Sequence, residues 1–424
     1  MIIDIHGHLS PPEAAERFPM PPSLTDVDGM LAARAQAGID LTIIGSPVGA
    51  GAMARVPGVD NYAQPRDRLR AFHAWMSGLI REFPDQLRGY VYANPFGDDD
   101  HLEGVRETLA DPAFVGLITT SSVHGELLGS PRADSFFALA AEAGVPVLVH
   151  APAEPVGTER VDEIGFVEQI GRFGDLTVGM AMIAFAGWLD KYPELRLIGA
   201  TGGGAMALLP ERLQTAPAPP PRAPPPPPGA AAPAPPPPPP PAASPEARAR
   251  GRAGAPADHR AGDPAETPAN GRPGAPTDHH AGDPARDSAR GPAAAPSRGR
   301  AGSGPRAGAP ADGRSGDPAG TSLQGGPGRF PACMPAGGPV PSVDPVAALR
   351  RMYVDTSPFS AAHLGLNAEV LGPERMLFGT DSPPMAAPLE DFVRMIEKLP
   401  VDKASQQLIL GGNAEALFDL RSRP

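Results

Sequence analysis

The sequence predicts a (β/α)8 TIM-type barrel, because eight short apolar runs alternate with segments of helical periodicity. Most runs are continuous in Val, Ile, Leu and Tyr, which is typical of parallel strands that are covered on both faces. About 300 residues of ordinary globular composition carry this pattern, enough for one large α/β domain. A doubly wound open sheet is the alternative, but no Gly-x-Gly-x-x-Gly motif follows the first run.

The apolar runs predict the barrel strands in chain order. They are Met1–Leu9, Leu41–Pro47, Gly89–Pro95, Val115–Ser121, Val145–Pro152, Leu195–Gly202, Met352–Ser357 and Met376–Pro383. Apolar residues at helical spacing predict the helices. These are Leu24–Ala37, Asp67–Glu82, His101–Ala110, Arg132–Ala143, Leu176–Lys191, Ala205–Leu213, Ala361–Leu371, Leu389–Lys398 and Ala404–Leu420. Asp26 lies at the start of the first helix, and Gly38 and Gly144 follow helix ends, as is usual at helix termini.

A Pro/Ala/Gly/Arg-rich tract, residues 215–342, divides the barrel sequence into two parts. Residues 1–214 carry strands 1 to 6, and residues 343–424 carry strands 7 and 8 with the last helix. The tract holds more than half of the 59 prolines and almost no large apolar residues, so we expect it to be disordered. Its proline runs Pro224–Pro228 and Pro235–Pro241 favour polyproline II. We expect a disordered tether without a partner, and a tether that binds other proteins weakly is the alternative.

The charge distribution excludes some partners. The tract contains 13 Arg, no Lys and 9 acidic residues, a net charge of +4 in a chain of net charge −12, so the barrel sequence carries −16. Such an acidic barrel argues against nucleic acid or an anionic membrane as partner. The single cysteine, Cys333, lies in the tract, so disulfides cannot support the fold. No apolar run approaches the ~20 residues that span a bilayer, and no signal peptide is visible. We therefore expect a cytoplasmic protein acting on a small molecule.

The ends of the predicted strands carry the residues that bear chemistry, and barrels of this type place their sites there. His6 and His8 lie on one face of strand 1, because alternate residues of a strand point the same way. His150 ends strand 5 and Asp381 ends strand 8. Three imidazoles and one carboxylate suit a single divalent metal ion, Zn²⁺ first, with Mn²⁺ or Fe²⁺ as alternatives. Other polar strand ends are Ser46, Asn94, Thr120, Ser121, Ser122, Thr201, Asp355 and Thr356.

Several motifs resemble those of one known family. They are Asp4-Ile-His-Gly-His8, Gly89–Pro95, Val123–Pro131, Val147–Pro152, Tyr192–Leu197, Gly202–Gly204, Leu377–Pro383 and Gly412–Ala414. With them the chain resembles the amidohydrolase superfamily, and within it the aminocarboxymuconate-semialdehyde decarboxylase-like branch. The resemblance implies one metal ion held by His6, His8, His150 and Asp381, a carboxy-lyase acting on a small carboxylated metabolite, and a homodimer. Metal-dependent hydrolysis of a small cyclic, amide or ester substrate is the alternative.

The chain departs from this family at strand 6, where a histidine usually precedes the three glycines. Here Thr201 stands in that place, and its hydroxyl can form a hydrogen bond but cannot titrate near neutral pH. Three alternatives stay open. Asp381 serves both as ligand and as proton acceptor, or His124 or His363 replaces the missing histidine, or the barrel binds metal without catalysis.

Three residues are predicted to contact the substrate. Arg55, in the loop after strand 2, could clamp a substrate carboxylate through two parallel hydrogen bonds. Ser121 ends strand 4, and His363 follows strand 7. Their position after barrel strands is the reason for the prediction.

Overall fold

The computed structural model describes residues 1–161, 163–214, 341–342 and 344–421. Within them, eight parallel strands form one sheet that curves into a nearly closed barrel, with neighbours in chain order. Strands β1 to β8 are Ile3–Gly7, Leu41–Ile44, Leu87–Tyr92, Phe114–Thr120, Val147–His150, Leu197–Gly199, Tyr353–Asp355 and Met376–Leu377. Each overlaps one of the predicted apolar runs, and the predicted barrel is confirmed.

Helices follow the strands on the outside of the barrel. In chain order α1 to α14 are Pro12–Arg17, Val27–Ala37, Arg66–Glu82, Asp99–Leu109, Asp134–Ala143, Ile164–Phe166, Arg172–Ala186, Trp188–Lys191, Pro210–Gln214, Pro345–Arg351, Ala361–Val370, Leu389–Glu397, Lys403–Gln407 and Asn413–Leu417. Single π-helical turns, Val167–Gly171 and Leu408–Gly412, join α6 to α7 and α13 to α14. Asp26 caps α2 by accepting a hydrogen bond from the Gly29 amide, and Gly38 ends it with a φ of 73°.

The predicted disordered tract and tether, residues 215–342, lies outside the described residues except for Pro341 and Ser342. Ser342 is buried, and its amide donates a hydrogen bond of 3.0 Å to the carbonyl oxygen of Phe185 at the end of α7. Among the helices of the described ranges, none combines the length and the apolar character needed to cross a membrane.

The barrel closes between β1 and β8. The Ile5 amide donates to the Phe378 carbonyl oxygen at 2.9 Å, and the Asp381 amide donates to the His6 carbonyl oxygen at 2.8 Å. Gly7 and Ser382 add a parallel bridge beyond the end of β8. This closure places the end of the first strand beside the segment that follows the last one, although about 370 positions separate them in the sequence.

Tyr90 crosses the barrel interior from β3 to β1. Its side chain is buried, and its hydroxyl donates to the Ile5 carbonyl oxygen at 2.8 Å. Glycines lie directly after β2 and within β4: a Cβ atom on Gly45 would be 3.0 Å from the Tyr90 Cβ, and one on Gly116 would be 2.9 Å from its ring. Small residues beside a large one allow the layers of the interior to interdigitate.

We expect Tyr90→Phe to lower the free energy of unfolding by about 1–2 kcal/mol, because it removes one buried hydrogen bond and leaves the packing unchanged. Urea unfolding of the two proteins measures this difference. Tyr353→Phe is the matched control, since Tyr353 is half-buried and carries Arg375 over its ring at 4.8 Å. Equal losses in the two variants would contradict the assigned role of Tyr90.

Candidate metal centre

Four side chains from three strand ends converge at the carboxyl-terminal mouth of the barrel. They are His6, His8, His150 and Asp381, and their ligand atoms all lie within 4.8 Å of one another. The His8 Nε2 is 3.1 Å from the His6 Nε2 and 2.9 Å from the Asp381 Oδ1. The same Oδ1 is 3.5 Å from the His6 Nε2 and 4.0 Å from the His150 Nε2. The structure therefore brings together the four residues that the sequence predicts as ligands.

Each imidazole is oriented by a hydrogen bond on its other nitrogen. The Nδ1 of His6 donates to the Asp355 Oδ2 at 2.5 Å, that of His8 to the Gly45 carbonyl at 2.9 Å, and that of His150 to the Ala151 carbonyl at 2.8 Å. Because all three partners accept hydrogen bonds, each Nδ1 carries the proton. The Nε2 of each ring then faces the common point, where it binds a metal ion once it is deprotonated.

The donor set fits a divalent metal ion. The His150 Nε2 is buried and has no hydrogen-bond partner among the described residues. A buried polar atom without a partner requires an explanation, and a bound ion is one. Three imidazole nitrogens and one carboxylate oxygen form a set that Zn²⁺, Mn²⁺ and Fe²⁺ accept. The cluster is a divalent metal site, and its donor atoms do not select one of these metals.

Burial and mutual charge set the protonation of the cluster. Burial lowers the pKa of His6, but the carboxylates of Asp381 and Asp355 outweigh it and raise that pKa to about 9. Burial lowers the pKa of His150 to about 4. For Asp381, burial raises the pKa, yet the surrounding imidazoles prevail and hold it well below its usual value. Asp381 is therefore ionised, as a metal ligand must be.

The strand-6 position has an unusual backbone. Thr201 adopts a φ of 47°, a left-handed conformation that is rare for a β-branched residue, and its amide donates to the Ser357 Oγ at 3.2 Å. His363 lies behind the glycine turn that follows: a Cβ atom on Gly202 would be 2.9 Å from its Nε2. Burial lowers the pKa of His363. The converging cluster of four residues includes neither Thr201 nor His363.

Strand register decides which residue at the end of β4 faces the mouth. Thr120 pairs in register with His150, so both side chains point to the same face of the sheet. The next residue, Ser121, points to the opposite face, where its hydroxyl donates to the Asp175 Oδ1 at 2.5 Å. The structure therefore does not bring Ser121 to the metal cluster.

The two remaining predicted residues lie on loops at the rim. His124 is 58% exposed in the turn between the short strands Ser122–Val123 and Glu126–Leu127, with its Nε2 3.3 Å from the Asp60 Oδ1. Arg55 is 42% exposed; its Nη2 donates to the Thr158 carbonyl oxygen at 3.2 Å, and its Nε is 3.8 Å from the Glu154 Oε1. Neither belongs to the converging cluster.

Sequence reasoning gave no role to two residues that shape the site. Asp355 is among the polar strand ends identified from the sequence, and the structure shows that it orients His6. Arg34 lies on α2, in a helical segment with no local signal of function. A buried arginine can be identified only once the helix that carries it is packed against its partners.

A buried ion pair between Arg34 and Asp4 links β1, which carries His6, to the segment after β8, which carries Asp381. The Arg34 Nη2 donates to the Asp4 Oδ2 at 3.2 Å and also to the Ser382 carbonyl oxygen, while its Nε donates to the Thr42 Oγ1 at 2.8 Å. The Asp4 Oδ1 accepts the amides of His6 and Thr380, each at 3.0 Å. The pair thus holds the peptide groups on both sides of Asp381 and the amide of His6.

We expect Arg34→Lys to weaken Mn²⁺ or Zn²⁺ binding about 10-fold or more, because outer hydrogen bonds orient metal ligands. A lysine keeps the charge, but its single nitrogen cannot reproduce the guanidinium's separate contacts to Thr42, Asp4 and Ser382. Calorimetric metal titration measures the affinity, and thermal unfolding of the metal-free protein measures stability. Arg81→Lys, at the exposed ion pair with Asp111, is the control. Lower stability with unchanged metal affinity would show that the Arg34–Asp4 pair is structural only.

Comparison with known proteins places this architecture in a family. A family model described as amidohydrolase matches residues 3–220 and 326–420, well over half of the chain. The 2-amino-3-carboxymuconate-6-semialdehyde decarboxylase of Dictyostelium discoideum is 22% identical over 166 residues, which span 38% of this chain and 46% of that protein. The chain therefore matches about half the length of this curated relative.

Solved structures of similar fold include two decarboxylases. The 5-carboxyvanillate decarboxylase of Sphingomonas paucimobilis has a TM-score of 0.61 at 14% identity, with 99% of this chain and 98% of that chain covered. The dihydroxybenzoic acid decarboxylase of Polaromonas sp. JS666, with bound manganese and the inhibitor 2-nitroresorcinol, has a TM-score of 0.58 at 14% identity, with 99% and 97% covered. At this identity the likeness shows a shared fold. Because the family match spans all eight barrel strands and the four converging side chains, the chain belongs to the amidohydrolase family.

Proposed function

We propose that the protein is a metal-dependent carboxy-lyase that acts on a small carboxylated metabolite. The observation that carries the proposal is the convergence of His6, His8, His150 and Asp381 at the mouth of the barrel. The names of the similar proteins support it, since the curated relative and both solved structures described above are decarboxylases.

Decarboxylation breaks a carbon–carbon bond, releases CO₂ and leaves the electron pair on the substrate carbon, which then takes up a proton. A divalent metal ion, when bound, supplies a Lewis acid that polarises a substrate oxygen. Asp381 has the most exposed side chain of the cluster, 26% against 0% for His6 and 10% for His8. Ionised and accessible, Asp381 is the group that can accept a proton from a substrate hydroxyl or from water and return it.

Hydrolysis of a small cyclic, amide or ester substrate is the second candidate function. The same four residues support it, because Asp381 could instead take the proton of an attacking water. A barrel that binds metal without catalysis is the third, and it is favoured by Thr201, whose hydroxyl cannot titrate near neutral pH. The two reactions differ in their products: decarboxylation lowers the substrate mass by that of CO₂, and hydrolysis adds that of water.

The metal, the assembly and the location are further parts of the proposal. We propose Zn²⁺ as the bound ion, with Mn²⁺ or Fe²⁺ as alternatives, and the manganese of the Polaromonas structure supports the second. A homodimer is supported by three exposed apolar side chains that follow β5, Ile164, Phe166 and Ile170, at 58%, 45% and 58% exposure. The cytoplasmic location, the small-molecule substrate and the weak tether role of residues 215–342 remain predictions.

We expect the Mn²⁺- or Zn²⁺-loaded protein to release CO₂ from a hydroxylated aromatic acid such as 2,6-dihydroxybenzoate or 5-carboxyvanillate. Asp381→Asn should lower the rate at least about 100-fold, as loss of a positioned proton-transfer group does. Asp99→Asn is the matched control, because this exposed aspartate lies in the first turn of α4, outside the cluster, and its rate should stay unchanged. Mass spectrometry of the product identifies the reaction. Unchanged aromatic acids together with cleavage of a cyclic amide or an ester, whose products sum to the substrate plus water, would establish hydrolysis.

We expect Thr201→His to fold as well as the parent, because histidine adopts left-handed backbone conformations more readily than a β-branched residue does. If the natural protein lacks decarboxylation only for want of a titratable group at this position, the variant should gain CO₂ release. A loss of existing activity in the variant would show instead that the threonine is adapted to different chemistry. Thermal unfolding and a CO₂ assay distinguish these outcomes.

A further inference from the structure

Helix α7 has an outer face that carries no charge. From Thr177 to Ala186 the helix contains no ionisable side chain, yet Val178 is 50% exposed and Phe185 is 39% exposed. These two residues are two helical turns apart, so they lie on the same side of the helix, and partly exposed Ala181 lies between them. Val178, Ala181 and Phe185, here called the α7 stripe, form one apolar surface.

Outer helix faces that meet water ordinarily carry polar and charged residues. Helix α3 shows this pattern, and its exposed charged residues are Asp67, Arg70, Arg81 and Glu82. An exposed apolar surface on a helix of this kind marks a place that another segment or molecule covers. The described residues leave more than a third of each large side chain of the α7 stripe open, so its cover must come from outside them.

The chain returns to the described structure beside the α7 stripe. Ser342 is buried, and its amide donates a hydrogen bond of 3.0 Å to the carbonyl oxygen of Phe185. This carbonyl belongs to the last turn of α7, where helix carbonyls have no partner within the helix. The residues directly before Ser342 therefore lead away from one end of the α7 stripe.

The proline-rich tract becomes apolar and loses its charges at this end. Residues 215–322 contain no Val, Leu, Ile, Met, Phe, Tyr or Trp. Four such residues follow in the tract: Leu323, Phe330, Met334 and Val340. Residues 330–340, here called the return segment, read Phe-Pro-Ala-Cys-Met-Pro-Ala-Gly-Gly-Pro-Val and contain no charged side chain. The amidohydrolase family model resumes at residue 326, so its match includes the return segment and omits residues 221–325.

The α7 stripe is short compared with the chain that precedes Ser342. With a rise of about 1.5 Å per helical residue, Val178 lies about 10 Å from Phe185 along α7. A polyproline chain advances about 3.1 Å per residue, so about four residues cover that length. The return segment is therefore long enough to follow the whole stripe.

We propose that the return segment packs along the α7 stripe and belongs to the barrel, so that the tether ends near residue 329. Two uncharged apolar surfaces can join without removing an ionised group from water, which would be costly. The prolines of the return segment reduce the conformational entropy that is lost when the segment is ordered. The return segment also leads directly into Ser342 beside the stripe, and this favours it over a second copy of the chain as the cover.

Cys333 measures this contact, because it is the single cysteine of the chain and lies in the return segment. A packed thiol reacts only when its segment opens. Cys333 of the native full-length protein should therefore react with N-ethylmaleimide at least about 10-fold more slowly than in the urea-unfolded protein. Mass spectrometry of the intact protein follows the labelling over time.

Phe185→Asp places a charge in the proposed contact and should raise the native labelling rate to within about threefold of the unfolded rate. Val340→Asp should do the same, and because it changes the return segment itself, it leaves the packing of the barrel helices untouched. Leu408→Asp is the matched control, because Leu408 is 41% exposed in the π-helical turn that joins α13 to α14. Its labelling rate should equal that of the parent. Far-UV circular dichroism and the melting temperature check that each variant is folded.

Equal labelling rates in the native parent and the unfolded protein would overturn the proposal. Slow labelling that both aspartate variants leave unchanged would overturn it too, because Cys333 would then be protected at another surface. Sedimentation velocity tests the other cover. A dimer that Phe185→Asp dissociates and Val340→Asp leaves intact would assign the α7 stripe to a second copy of the chain and refute the proposal.

Discussion

The metal centre depends on one constraint. In each of its three imidazoles, the Nδ1 proton is donated to an acceptor that the barrel holds in place. Asp355, the Gly45 carbonyl and the Ala151 carbonyl accept these protons. Two of the acceptors are backbone groups at strand ends, and the third is a buried carboxylate at the end of β7. These acceptors are held in place by the barrel, so the three Nε2 atoms face one point. The site is pre-organised by the barrel itself.

Charge around the site is arranged in pairs within a low-dielectric interior. Asp4 and Asp355 are fully buried, and each has its own partner: Arg34 for Asp4 and the His6 ring for Asp355. Replacing a buried ion pair by apolar residues of similar volume is often neutral or stabilising, so such a pair is weak evidence for stability. Here the Arg34–Asp4 pair holds the backbone on either side of Asp381. The contribution of this pair is geometric, because the pair sets the position of Asp381, a ligand candidate that lies on a loop.

Strained backbone occurs at the same rim. Thr201 and Asp381 both have positive φ values, 47° and 55°, in the described chain. Such conformations persist only where the surroundings hold them, and they gather at sites that bind ligands. Asp381 is held by the hydrogen bond that its amide donates to the His6 carbonyl oxygen, and by the hydrogen bond from Arg34 to the adjacent Ser382 carbonyl oxygen. The position of its carboxylate therefore follows from the closure of the barrel.

The sequence by itself determined the barrel and the four convergent side chains. Parallel strands deliver their carboxyl ends to one mouth, and alternation along β1 places His6 and His8 on one face. The sequence could not tell whether Thr120 or Ser121 faces that mouth. A continuous apolar run has no alternation of polar and apolar residues to reveal which side chains point inward. The register of Thr120 with His150 decided it. Only the tertiary structure disclosed Arg34, since its partners, Asp4 and the Ser382 carbonyl, are distant in sequence and the contacts exist only once the helix packs on the barrel.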